Sequence, residues 1–95
     1  MDKKLKTKWV KALRSGKYKQ GRLGLYNSES RGYCCLGVLA SVVSGKRGSN
    51  GVYNIGYDPY EKVGKSPDLV SLNDDKKQSF SEIADWIEQN IPAAR

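Results

Sequence analysis

Tyr33-Cys34-Cys35-Leu36-Gly37-Val38-Leu39-Ala40-Ser41-Val42-Val43 is the most apolar stretch of the chain. From Cys35 onward the apolar positions Cys35, Leu36, Val38, Leu39, Val42 and Val43 cover a broad face, which predicts a buried central helix. Gly37 within it costs ~1 kcal/mol relative to Ala, so its presence implies a close backbone approach. Ser44-Gly45 ends the element. Residues 34–43 fall far short of the ~20 apolar residues that cross a bilayer.

On the N-terminal side, Tyr33-Cys34 can pair back as a short strand. Asn27-Ser28-Glu29-Ser30-Arg31-Gly32 has the residues of a turn, and residues 17–26, with Tyr18, Leu23 and Leu25, suit a bent or bulged strand. Before it, Asp2 can cap a helix that places Leu5, Trp9, Ala12 and Leu13 on one stripe and stops at Ser15-Gly16. Beyond the central helix, residues 45–66 read as a flexible loop rich in Gly and Tyr, with one short strand over 52–55. Pro67 opens a helical turn or two that Asn73-Asp74-Asp75 breaks. Ser79-Phe80-Ser81-Glu82 is a capping box, followed by the stripe Phe80, Ile83, Ala84, Ile87 and Ile91 up to Pro92. The expected fold is α+β: one domain over residues 1–95, a short antiparallel hairpin packed with about three helices.

The 95 residues carry a net charge of +7, unevenly spread. Residues 1–22 hold nine Lys or Arg against Asp2 alone, while residues 73–95 are mildly acidic. A basic head points to an anionic partner, or to a solvated helix face that keeps a small domain soluble. The chain has no His, which removes His-based acid/base catalysis, Ser/His or Cys/His nucleophiles and His metal ligands. Two Cys cannot make a four-ligand zinc site, so neither metal nor cofactor is expected. With no apolar signal core near the N-terminus, the expectation is a soluble protein of the cytoplasm in which it is made. The core is thin for this length, which favours homo-oligomerisation or a bound ligand. Trp86, at the edge of the last stripe, is the candidate interface residue.

Three blocks carry a resemblance. They are Trp9-x-x-Ala12-Leu13-Arg14-Ser15-Gly16-x-Tyr18-x-Gln20, Tyr33-Cys34-Cys35-Leu36-Gly37-Val38-Leu39, and Leu72-Asn73-Asp74 followed by Ser79-Phe80-x-x-Ile83-Ala84-x-Trp86-Ile87. Together they resemble a family of small proteins carried by tailed bacteriophages and prophages. That resemblance implies a phage origin and expression inside a bacterial cell, a setting in which small non-structural proteins often act against host defences. It lends no catalytic residue.

Two sets of residues compete for a functional role. Cys34-Cys35 lies at a strand-to-helix junction, where exposed amides and Arg31 could lower a thiol pKa; burial in the core is the opposing reading, and no His supplies an acid/base partner. The better lead is basic: Lys17, Lys19 and Arg22 alternate with Tyr18, and the hairpin would bring Arg31 and Tyr33 near. Cations for phosphate and aromatics for base stacking suit a nucleotide or single-stranded nucleic acid, with Tyr53 and Tyr57 of the loop closing over it. Gly21 and Gly24 would let amides approach the anion. The first functional expectation is therefore a non-enzymatic phage protein that captures a small anionic nucleotide-derived immune signal. The alternative is an inhibitor of a host defence protein or its bound nucleic acid, in which the Lys-rich face of the first helix carries the binding. A cysteine-dependent enzyme ranks last.

Overall fold

The computed structural model describes residues 1–93. Its elements run in chain order as α1 (Lys3–Arg14), β1 (Tyr26–Asn27), β2 (Gly32–Tyr33), α2 (Cys35–Ser44), α3 (Ser49–Val52), α4 (Pro59–Lys62), α5 (Ser66–Val70), a π-helical turn (Ser71–Asp75) and α6 (Phe80–Asn90). The fold is mixed α and β, mostly helical, with one two-stranded antiparallel hairpin pairing Tyr26 with Tyr33 and Asn27 with Gly32. A radius of gyration of 11.9 Å fits one compact domain, for which a chain of this length gives about 12 Å.

The apolar stretch is the central helix, as its pattern predicts. Residues 35–41 are all buried, and α1, α3, α4 and α5 pack around α2. Two backbone approaches fix the hairpin to it. The Cys34 amide donates to the Leu25 carbonyl at 3.1 Å, and a Cβ on Gly37 would stand 1.9 Å from that same carbonyl oxygen. No side chain fits there, which is why a helix breaker sits in the most buried helix.

The two outer helices follow from their caps. The Asp2 carboxylate accepts from the Leu5 amide at 2.8 Å, and the α1 stripe buries Trp9, Val10 and Leu13. Trp9 donates its indole N–H to the Cys35 carbonyl at 2.8 Å, joining α1 to the first turn of α2. At α6, Ser79 and Glu82 form the reciprocal capping box, and Phe80, Ile83, Ala84 and Ile87 face the core. Ile91 closes the stripe and is buried.

Residues 45–66 differ from expectation. They hold two helical turns in place of a loose loop, and no strand forms over 52–55. Val52 ends α3, after which positive φ at Asn54 (58°) and Gly56 (72°) turns the chain. Asp58 caps α4 through the Tyr60 amide at 2.9 Å, with Pro59 at the first helical position. Buried Val52, Pro59 and Val63 anchor the segment to the core, so ordinary caps and apolar anchors override the Gly-rich composition.

Two further expectations are corrected. Asn73-Asp74-Asp75 does not break the helix that Pro67 opens; the chain runs on from α5 as the π-helical turn. Residues 17–25 form no regular strand. They pass beside β2 with a single bridge from Gln20 to Tyr33, and Leu23 takes a left-handed φ of 62° with its side chain in solvent.

Candidate functional site

A buried amide, Asn73, locks the segment after α1 in place. Its Nδ2 donates to the Gly21 carbonyl and to Asp74 Oδ1, both at 2.8 Å, while its Oδ1 accepts from Gln20 Nε2 at 2.9 Å. Gln20 Nε2 also reaches the Gln78 carbonyl at 2.7 Å, and Arg22 Nε donates to the Asn73 carbonyl at 3.2 Å. The polar residues that stand out in the sequence blocks thus meet as one satisfied network, whose function is structural. Gly21 also belongs to it. Its amide donates to the Tyr33 carbonyl at 2.7 Å, and a Cβ there would stand 2.9 Å from the Gly32 carbonyl carbon. The Gly21 amide is therefore spent on packing and is not offered to an anion, as the sequence suggested.

Two of the four tyrosines expected to stack on a ligand are stacked on each other. Tyr18 and Tyr33 meet edge to face at 4.9 Å, and Tyr26 tilts over Tyr33 at 4.7 Å. The open side of Tyr18 is covered by the Arg47 guanidinium, 4.2 Å from the ring centre, and Arg47 also donates to the Lys17 carbonyl. Sequence reading missed Arg47; its signal was the basic pair Lys46-Arg47 ahead of Gly48. Tyr33 is buried, and its hydroxyl accepts from the Gly48 amide at 2.6 Å. Tyr53 is tied through its hydroxyl to the Tyr26 backbone, donating to the carbonyl at 3.1 Å and accepting from the amide at 3.2 Å. In the structure Tyr33 and Tyr53 thus serve as internal struts.

The expected cations are spread out. Lys19 Nζ donates to the Ser30 carbonyl at 3.0 Å, at the hairpin turn where exposed Arg31 takes a φ of 59°. Arg22 points instead to Asn73, and Lys17 stands exposed beside Arg47. Tyr57 does not join them. It lies half-buried in another depression, lined by Asp2, Lys4, Leu5, Lys8, Val42 and Val43. Trp86 is half-buried at the edge of the α6 stripe, packed against the core with part of its indole on the surface.

The cysteines are structural. Cys34 caps α2, its Sγ accepting from the Gly37 amide at 3.4 Å, and Cys35 Sγ–H donates to the Leu69 carbonyl at 3.7 Å. Burial pushes both thiols above the ordinary range, opposite to the lowering that the junction suggested. A thiol held protonated in the core is a poor nucleophile.

Exposed cations without a carboxylate partner are densest on α1. Among the described residues, the ion pairs are those of Arg14 with Asp85, at 2.5 Å, and with Glu88. They join α1 to α6 through two exposed carboxylates of α6. Lys3, Lys4, Lys8 and Lys11 are exposed and have no carboxylate partner among the described residues. Two grooves flank this ridge. One, of about 450 Å³, runs past Lys3, Thr7 and Lys11 over Val10 toward Glu88 and Ala93. The other, of about 420 Å³, is the Tyr57 depression.

The ridge is also a local conflict. The first turn of α1 has no acidic residue, and Lys3 and Lys4 stand at its N-terminus, where the helix dipole disfavours cations. Lys4 and Lys8 repel at i,i+4 spacing. Both arrangements oppose helix stability locally.

No helix of the described residues is long and apolar enough to cross a membrane. No curated protein and no solved structure matches the chain. A family described as a domain of unknown function (DUF8296) matches through its model over residues 1–52, from α1 to the end of α3. The match takes in the lysine ridge, the stacked Tyr18, Tyr26 and Tyr33 and the central helix, and the chain belongs to this family.

Proposed function

We propose that the protein is a non-enzymatic binding protein that docks onto the phosphate backbone of a nucleic acid through the lysine ridge of α1. The observation that carries this reading is the density of unpaired charge: Lys3, Lys4, Lys8 and Lys11 all stand exposed on one helix, with no carboxylate partner among the described residues. Lysines act as point charges on phosphate, and such contacts give affinity without sequence choice. The resemblance to phage proteins supports a setting in an infected bacterial cell. There the bound strand would be one held by a host defence complex, and occupying it would blunt the defence. Trp86 is the contact we assign to any self-association.

Capture of a small nucleotide-derived signal by Lys17, Lys19, Arg22 and Arg31 has less support, because Lys19 and Arg22 already have internal acceptors and Tyr18 and Tyr33 are already stacked. The test is a titration of a fluorescent single-stranded oligonucleotide of about ten nucleotides at several salt concentrations. With four lysines on phosphates, log K should fall against log salt with a slope of about −3. A slope near zero, or binding to free nucleotides as tight as to the oligonucleotide, would reject the ridge.

A further inference from the structure

Of the six tyrosines, four serve internal structure. Tyr18 and Tyr33 are stacked, Tyr26 lies on Tyr33, and Tyr53 is bonded to the Tyr26 backbone. Tyr57 and Tyr60 have neither an aromatic partner nor a side-chain hydrogen bond among the described residues. They face different surroundings. Tyr60 follows Asp58, the cap of α4, whereas Tyr57 shares its depression with Lys4 and Lys8 of the ridge.

That depression combines three elements. Leu5, Val42 and Val43 give it an apolar lining, and Val43 is exposed although it is a large aliphatic residue. Lys4 and Lys8, one helical turn apart, supply two cations. Tyr57 supplies an aromatic ring, and partial burial pushes its phenol above the ordinary range, as expected of a ring set against apolar neighbours. The one carboxylate, Asp2, is already engaged with the Leu5 amide as the α1 cap. A volume of about 420 Å³ lies within the ~300–1,000 Å³ of small-ligand sites.

Resting on the nucleic-acid reading above, we infer that this depression is a base subsite: an unpaired base stacks on Tyr57 over Val42 and Val43, while Lys4 and Lys8 hold the adjoining phosphates. The strand bound by the ridge is therefore single-stranded, since a duplex keeps its bases stacked inside. Phosphate contacts alone would not distinguish the two; an aromatic beside the cations does.

Two probes of equal charge test this: an oligothymidylate of about ten nucleotides and an abasic sugar-phosphate oligomer of the same length, titrated at one salt concentration. The wild-type protein should prefer the thymidylate by about tenfold. Tyr57→Leu keeps an apolar side chain against the core but cannot stack, and its preference should fall to about one. Tyr57→Phe should keep the preference. Thermal melts of both variants report the fold. Equal wild-type binding to the two probes, or a preference that survives Tyr57→Leu, overturns the subsite and leaves the ridge standing. No binding to either probe overturns both.

Discussion

The α1 ridge and the segment 17–33 are built from the same materials, Lys, Arg and Tyr or Trp, and use them in opposite ways. In the segment, each charge or ring that composition would offer to a ligand finds an acceptor or a stacking partner within the chain, apart from exposed Lys17 and Arg31. On α1 the indole goes to the core, half-buried Lys6 donates to the Glu88 carbonyl, and Lys3, Lys4, Lys8 and Lys11 go to solvent without carboxylate partners among the described residues. The comparison teaches that a basic, aromatic sequence is not yet a site. What marks a site is polar or charged potential that the fold leaves unspent, more so where it costs local stability.

The largest expected effect breaks the structural half of this comparison. Gly37→Ala forces a Cβ to 1.9 Å from the Leu25 carbonyl oxygen, a rigid backbone atom. It should cost about 4 kcal/mol or more and abolish a cooperative melt; a normal melting curve would show that the hairpin does not rest on α2. Next comes Asn73→Ala, which strips Gln20 and the Gly21 carbonyl of their partner. A loss of about 2 kcal/mol, or roughly 8–16 °C in Tm, is expected.

The functional half is sharpened by removing charge from each region in turn. The triple substitution of Lys4, Lys8 and Lys11 to Ala should lower the salt slope for a single-stranded oligonucleotide by about 2 and leave Tm unchanged or raised. Lys17 and Arg31 replaced together should change the slope by less than half of that. Equal losses would erase the distinction between the two regions.

A smaller effect concerns the thiols. Their pKa values are raised in the folded state from an ordinary 9.0, so the folded protein binds more protons than the unfolded one. The stability this gives is fully present below about pH 9 and is lost as pH climbs toward the folded values. Tm should therefore fall on the alkaline side, and less steeply in Cys34→Ala/Cys35→Ala. Equal alkaline slopes would mean that the buried thiols ionise freely. The smallest expected loss of stability is that of Arg14→Gln, which removes exposed ion pairs and should lower Tm far less than Gly37→Ala or Asn73→Ala.

Much of the fold was legible where the signal was local. The Asp2 cap, the Ser79–Glu82 capping box, the α2 apolar run and the Asn27-to-Gly32 turn all declare themselves within a few residues. Residues 45–66 did not, because Val52, Pro59 and Val63 are spaced too irregularly for a helix or strand period, and their common burial in the core, with the Asp58 cap, orders them. The π-helical turn was hidden for a similar reason: Asn73 looks like a helix breaker until its amide is seen bonded to Gly21 and Gln20, far away in sequence. The site was half legible. The lysines of α1 are plain in the sequence, but that Arg14 pairs with Asp85 and Glu88, and that Tyr57 returns beside Lys8 while Tyr33 goes inside, are facts of chain packing.

The most direct measurement is an amide shift map of the labelled protein titrated with a short single-stranded oligonucleotide. The account predicts shifts concentrated on residues 3–11 and at Tyr57, with the segment 17–33 nearly silent. Shifts centred on Lys17, Lys19, Arg22 and Arg31, with α1 unmoved, would contradict it.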